Sequence, residues 1–206
     1  MKKAVIFDMD GVLIDSETFY FERRMDFFQA KGIRPGSVQL KDYVGKSEEQ
    51  TWRMLVPDDD QKRYMLRREY AEFRDKNRID FTKALRDSVP IVLSTLQSQG
   101  ITMALASSSP RSEINLMLED CQLRDYFSFV ISGEELQESK PHPEIYLLSK
   151  EALGCERNLA VEDSTLGIAS AKSAGLYTAA LKQPFPMNQE AADVVINQLE
   201  ELLELV

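Results

Sequence analysis

Six short apolar runs alternate with helical patterns along this chain: Ala4 to Phe7, Thr102 to Ala106, Phe129 to Ile131, Asn158 to Val161, Tyr177 to Leu181 and Asp193 to Ile196. Strands separated by amphipathic helices pair in parallel through helical crossovers, so the alternation predicts an α/β fold, a doubly wound parallel sheet with helices on both faces. One gap breaks the rhythm. The stretch between the first two runs is too long for a structureless loop. In it Phe21, Met25 and Phe28 repeat at helical spacing, as do Leu66, Tyr70 and Phe73, while Trp52 and Leu55 mark a shorter helix ended by Pro57. Residues 15–82 therefore read as a small α-helical cap inserted after the first strand, with 1–14 and 83–206 forming the core. A chain of 206 residues, 43% of them hydrophobic, can fill both.

Charge narrows the partners. A formal net charge of −9 argues against a nucleic-acid backbone or an anionic membrane as the main partner. The mixed charges from Lys62 to Arg78 read as a solvated helix face, and Asp58-Asp59-Asp60 as acids at a helix N-terminus. The apolar run after Met1-Lys2-Lys3 stops at Asp8, too short for a secretory signal or a membrane span, so a cytoplasmic location is expected. Cys121 and Cys155 form no metal-binding spacing and read as buried thiols. No internal repeats or low-complexity segments occur.

In a doubly wound sheet, ligands collect at the carboxyl ends of the strands. The first run delivers Asp8 and Asp10 there, where apolar residues would otherwise continue. Two close carboxylates need a cation or a shared proton, which suits a Mg2+ site with a nucleophile beside it. The second run ends in Ser107-Ser108-Ser109-Pro110, where hydroxyls and N–H groups at a helix start can hold phosphate. Ser107 fits that role, while Ser109 before Pro110 reads as an N-cap. Ser139-Lys140-Pro141-His142-Pro143 places a lysine in a proline-bracketed loop, and Val161 is followed by Glu162-Asp163-Ser164. Singly, Lys140 could be a solvated charge and Glu162-Asp163 a helix start. Taken with Asp8 and Asp10, they supply a counter-charge for phosphate and hard oxygen ligands for Mg2+. The sole histidine, His142, reads as shaping the loop that positions Lys140. Ser16 and Glu17 read as a helix start, and Asp15 has a second reading as a hinge.

The segments Phe7-Asp8-Met9-Asp10-Gly11-Val12-Leu13-Ile14-Asp15-Ser16-Glu17, Ala106-Ser107-Ser108, Lys140-Pro141 and Glu162-Asp163-Ser164-Thr165-Leu166-Gly167-Ile168 resemble the four motifs of the haloacid dehalogenase-like superfamily. The resemblance spans nearly the whole chain. It is strongest to the helical-cap branch that holds β-phosphoglucomutase, phosphoglycolate phosphatase and many sugar-phosphate phosphatases. It implies a Rossmann-like core and Mg2+-dependent phosphoryl transfer. Asp8 would be the nucleophile, forming an aspartyl phosphate, and Asp10 the acid and then the base. Ser107, Ser108 and Lys140 would bind the phosphoryl group, and Asp8, Asp10, Glu162 and Asp163 would hold the metal. In the family it is the main-chain carbonyl of the second aspartate that ligates.

Departures from relatives carry information too. A second catalytic acid at Asp10, with Glu162-Asp163, sets the chain apart from metal-free dehalogenases. Glu48 falls where phosphonate-cleaving members carry a Schiff-base lysine. Val44-Gly45-Lys46-Ser47 resembles the substrate loop of β-phosphoglucomutase, yet that enzyme's cap arginine falls at Glu48, its cap lysine at Val44, and its histidine after the first motif near Tyr20. Lys46 is either a substitute substrate contact or a solvated side chain. The expectation is a monomeric phosphatase acting on a small phosphorylated metabolite, a sugar phosphate foremost. The alternatives are a β-phosphoglucomutase-like phosphohexomutase and a catalytically inert binding protein.

Overall fold

In the computed structural model, which describes residues 3–44, 46 and 48–206, the first strand is the middle of a six-stranded sheet. The chain runs β1 (Lys3–Phe7), then helices α1 (Glu17–Ala30), α2 (Glu48–Leu55) and α3 (Asp60–Lys76). It continues through α4 (Phe81–Ala84), α5 (Val89–Ser98), β2 (Thr102–Ser107), α6 (Arg111–Asp120), β3 (Phe129–Ser132), α7 (Glu144–Leu153), β4 (Arg157–Glu162), α8 (Thr165–Ser173), β5 (Tyr177–Leu181) and β6 (Val194–Ile196). The sheet order is β3-β2-β1-β4-β5-β6, and every pairing is parallel.

Each strand lies where an apolar run predicts one, and β1 is buried from Ala4 to Phe7 because helices cover both faces. Alternation along the strands divides the core. Ile6, Ala104, Ala106 and Ala160 pack with Ile145 and Tyr146 of α7 and Ala171 of α8. Asp193 lies just outside β6, its carboxylate instead accepting from Lys172 Nζ and the Thr178 N–H.

The chain divides into two compact units, one running to Asp15 and from Phe81 to Val206, the other spanning Ser16–Asp80. The core thus extends slightly beyond the expected 1–14 and 83–206. The Asp15 N–H donates to the Ala84 carbonyl at 2.7 Å, and the Arg86 N–H to Leu13 at 3.0 Å, so both crossing strands are fastened on the core side.

Phe27, Phe28, Trp52, Leu55, Leu66 and Tyr70 form the apolar centre of the helical unit. Asp59 caps α3, its carboxylate accepting from the Lys62 N–H at 2.8 Å. Both cysteines are free and half-buried rather than buried, because each follows a helix end, Cys121 after α6 and Cys155 after α7. Among the described residues, no helix is long and apolar enough to cross a membrane.

Candidate active site

The pairing of β1 with both β2 and β4 decides what meets at the sheet's carboxyl edge. Phe7 is opposite Leu105 on one side and Val161 on the other, so Asp8, Ser107 and Glu162 leave neighbouring strand ends. The Asp8 N–H continues the ladder to the Val161 carbonyl at 2.9 Å. Beyond it, Leu13 N–H returns to Met9 O at 2.9 Å and Gly11 N–H to Ile14 O at 2.8 Å, a tight turn in which Gly11 adopts φ +79°. Only glycine enters that conformation without strain. It also lies against the Asp163 carboxylate: a Cβ on Gly11 would come 2.1 Å from Asp163 Oδ2.

Lys140 reaches this edge from the loop before α7, and its side chain is only 7% exposed. Its ammonium donates to Asp8 Oδ1 and Glu162 Oε1, both at 2.6 Å, and to the Ala106 carbonyl at 3.3 Å. Glu162 is wholly buried, and both of its oxygens accept hydrogen bonds. Oε1 also accepts from the Tyr146 hydroxyl at 2.7 Å, while Oε2 accepts from the Asp163 N–H (3.1 Å), the Ser164 N–H (3.3 Å) and the Ser164 hydroxyl (3.1 Å). Tyr146 supports Lys140 a second time, its ring centroid lying 5.2 Å from Nζ, within cation–π range.

Ligand oxygens of Asp8, Glu162 and Asp163 all lie within 4.8 Å of one another. Three carboxylates face one ammonium, an excess of negative charge that a divalent cation would offset, and hard oxygen donors fit Mg2+. Electrostatics points the same way. Burial, opposed by Lys140 and assisted by Glu162 and Asp10, pushes Asp8 up to about 8. Burial and then the Glu162 and Asp8 charges push Asp163 well above the usual carboxylate range. Burial alone would lower Lys140, but Asp8 and Glu162 hold it above the ordinary lysine range, so it remains a cation.

Asp10 is half-buried, and its Oδ2 accepts from the Ser109 hydroxyl at 2.6 Å. Ser109 is therefore not the helix cap expected of it. Pro110 holds the cap position of α6 without a side-chain bond, and the Ser109 hydroxyl makes a charge-assisted bond to Asp10 instead. Ser107 is completely buried and its Oγ accepts from the Ser109 N–H at 3.0 Å, whereas Ser108 is exposed.

Thus Asp8, Asp10, Ser107, Ser108, Lys140, Glu162 and Asp163 all sit on one edge of the core. Lys46 belongs to the helical unit, where its side chain is exposed and its N–H donates to the Tyr43 carbonyl. Gly45 and Ser47 of the same loop lie outside the described residues. Glu48 is exposed and pairs with Arg67. His142 stays off the site, 42% exposed, with Glu138 and Glu144 at 3.8 and 3.9 Å.

Sequence reasoning missed Tyr146, which reads as an ordinary apolar position of α7. It also missed Arg86, Gln183 and Gln189. Arg86 Nη2 and Gln183 Nε2 donate to the Gly11 carbonyl, and Gln189 Nε2 to the Asp163 carbonyl. No local pattern marks them, because their partners are distant in sequence.

Comparison with known proteins adds to this geometry. The family profile described as haloacid dehalogenase-like hydrolase matches residues 5–181. A phosphorylated carbohydrates phosphatase of Thermotoga maritima is 34% identical over 179 residues, 84% of this chain and 82% of that protein. Hexitol phosphatase B of Escherichia coli is 31% identical over 209 residues, 97% of this chain and 93% of that protein. The crystal structure of a β-phosphoglucomutase from Clostridium difficile shares the fold, with a TM-score of 0.76 at 22% identity, over 98% of this chain and 93% of that one.

Proposed function

The chain belongs to the haloacid dehalogenase-like hydrolases, and from that premise we propose that it is a Mg2+-dependent phosphatase that hydrolyses a small phosphate monoester, a sugar phosphate foremost, through an aspartyl-phosphate intermediate on Asp8. The observation that carries this reading is the buried Lys140 ammonium bridging Asp8 and Glu162 beside Asp163. It supports reading Asp8 as the nucleophile, Lys140 as the phosphate counter-charge and the neighbouring carboxylates as metal donors.

In the first half-reaction a carboxylate oxygen of Asp8 attacks phosphorus, the ester P–O bond breaks, and Asp10 gives a proton to the departing oxygen. Water then attacks the aspartyl phosphate, Asp10 takes its proton, and the bond from Asp8 to phosphorus breaks to release phosphate. Covalent relay divides one slow displacement into two easier ones, and general acid–base help contributes about 10²- to 10⁴-fold. Ser107, Ser108 and Lys140 hold the non-bridging oxygens, Lys140 already fixed by its partners. Asp8, Glu162, Asp163 and the main-chain carbonyl of Asp10 would hold Mg2+, whose positive charge would keep the carboxylates ionised and offset the negative charge on the phosphoryl oxygens.

The names of the two curated relatives support a phosphorylated carbohydrate as substrate. The helical unit would serve as the selecting cap, with Lys46 as a contact. The net charge of −9 argues against a nucleic-acid or membrane partner, and a cytoplasmic monomer is the form we envisage. A mutase needs a second anion-binding arm, and Glu48, an acid paired with Arg67, stands where the resemblance puts it.

The test is phosphate release from a panel of sugar phosphates, hexitol phosphates, phosphoglycolate and an aryl phosphate, in Mg2+ or EDTA. Metal-dependent release is expected. No release, with interconversion of sugar 1- and 6-phosphates in the presence of a bisphosphate primer, would replace the phosphatase by a mutase. Neither activity would leave an inert binding protein.

A further inference from the structure

The two turns that carry the proposed metal carboxylates are joined by side chains from a third place. β5 ends at Leu181, and the loop of residues 182–189 that follows buries two glutamines, Gln183 at 7% and Gln189 at 9% exposure. Burying an amide in a loop is costly unless its hydrogens find acceptors. Both amides find two. Gln183 Nε2 donates to the Gly11 carbonyl at 2.8 Å and to the Leu181 carbonyl at 3.3 Å. Gln189 Nε2 donates to the Asp163 carbonyl at 2.7 Å and to the same Leu181 carbonyl at 2.9 Å. All four bonds end on carbonyl oxygens, so only the NH2 ends can face them, and the orientation of both amides is fixed. Arg86 completes the set, Nη2 donating to the Gly11 carbonyl at 3.0 Å and to Gln183 Oε1 at 3.2 Å.

The geometry these bonds hold matters to the site. Gly11 belongs to the turn that begins with Asp8 and Asp10, and its Cα forms the wall against which the Asp163 carboxylate rests. Backbone pairing between β1 and β4 stops before that turn, the last rung being the Asp8 N–H to the Val161 carbonyl. Beyond it, the glutamines hang both turns from one strand end.

We infer that Gln183 and Gln189 are positioning residues that fix the first-strand turn relative to Asp163 and thereby set affinity for the divalent cation. The inference rests on the metal reading proposed above. Groups that orient metal ligands without touching the ion typically change metal affinity or activity about 10- to 100-fold when removed. Methionine matches glutamine in length and removes both donors.

Mn2+ binding to wild type, Gln183→Met and Gln189→Met, followed by electron paramagnetic resonance without substrate, is the direct test. About tenfold or more weaker Mn2+ binding is expected in each variant, with KM for the phosphate ester at saturating metal within about twofold of wild type. Melting temperatures are recorded alongside. Variants that melt earlier yet bind Mn2+ like wild type would show that the glutamines only close the loop, and the inference would be overturned. Wild type without Mn2+ binding would overturn the metal reading and the inference together. Should Gln189→Met not fold, Gln189→Asn, one methylene too short to reach both carbonyls, carries the same expectation.

Discussion

Replacing Gly167 by alanine sets two effects of opposite sign against each other. Gly167 lies in the first turn of α8, and in an exposed helix the change would stabilise by about 1 kcal/mol. Here the added Cβ would meet the Glu162 carboxylate, 1.9 Å from Oε1 and 2.0 Å from Cδ. Ordinary contact begins at 3.4 Å, so the carboxylate must retreat by the difference, about 1.5 Å. Bonds of 2.6 Å to Lys140 and 2.7 Å to Tyr146 do not survive such a shift. Each bond to a charged group is worth about 1.5–3 kcal/mol, so two outweigh the helical gain and leave a net loss of about 2–5 kcal/mol. Lys140 also loses one of its two anchoring carboxylates, and kcat should fall on the order of 10²-fold. Denaturant melts of Gly167→Ala, paired with steady-state phosphate release, measure both. A variant as stable as wild type with unchanged kcat would refute the packing of Gly167 on Glu162 and the anchoring of Lys140 through it.

Stability should depend on pH in a direction set by Asp8. In EDTA the folded protein keeps Asp8 protonated up to about 8, whereas an ordinary aspartate ionises near 3.8. The folded state holds the extra proton between those values, so stability falls as pH rises through that window. The melting temperature in EDTA should drop between about pH 5 and 8 and Mg2+ should restore it most at the upper end; a flat or rising profile in EDTA contradicts the burial of that carboxyl. Ser109→Ala removes the 2.6 Å donor to Asp10 and should lower kcat about tenfold with little change in KM, while an unaltered kcat would dismiss Ser109 as an aid to the acid. Asp10→Asn should cripple turnover of alkyl phosphates yet still form phosphoenzyme from an activated aryl phosphate, and equal loss of both would assign Asp10 another role.

What the sequence discloses here follows the range of the interactions. The inner strands are legible because buried parallel strands need unbroken apolar runs, and Ala4 to Phe7 could do little else. Asp8, Asp10, Lys140, Glu162 and Asp163 are legible because each stands at the end of an element where apolar chemistry abruptly stops. Tyr146 is hidden by its neighbours, since an aromatic residue beside Ile145 on a helix face reads as core, and its hydroxyl's use on Glu162 depends on a strand met later in the chain. Gln183 meets Gly11 across 172 residues, and nothing local to either announces it. Ser109 misleads for a different reason. Serine before proline favours a cap, but α6 begins one residue later, which leaves Pro110 at the cap position and the Ser109 hydroxyl donating to Asp10.

The central claim is that phosphate passes through Asp8, and trapping it is the most direct measurement. Protein mixed with an activated aryl phosphate and Mg2+, quenched in acid within the first turnover and digested, should yield a single phosphorylated peptide, with the phosphoryl group on Asp8. Turnover without any phosphoenzyme, or phosphate on another residue, would contradict the account.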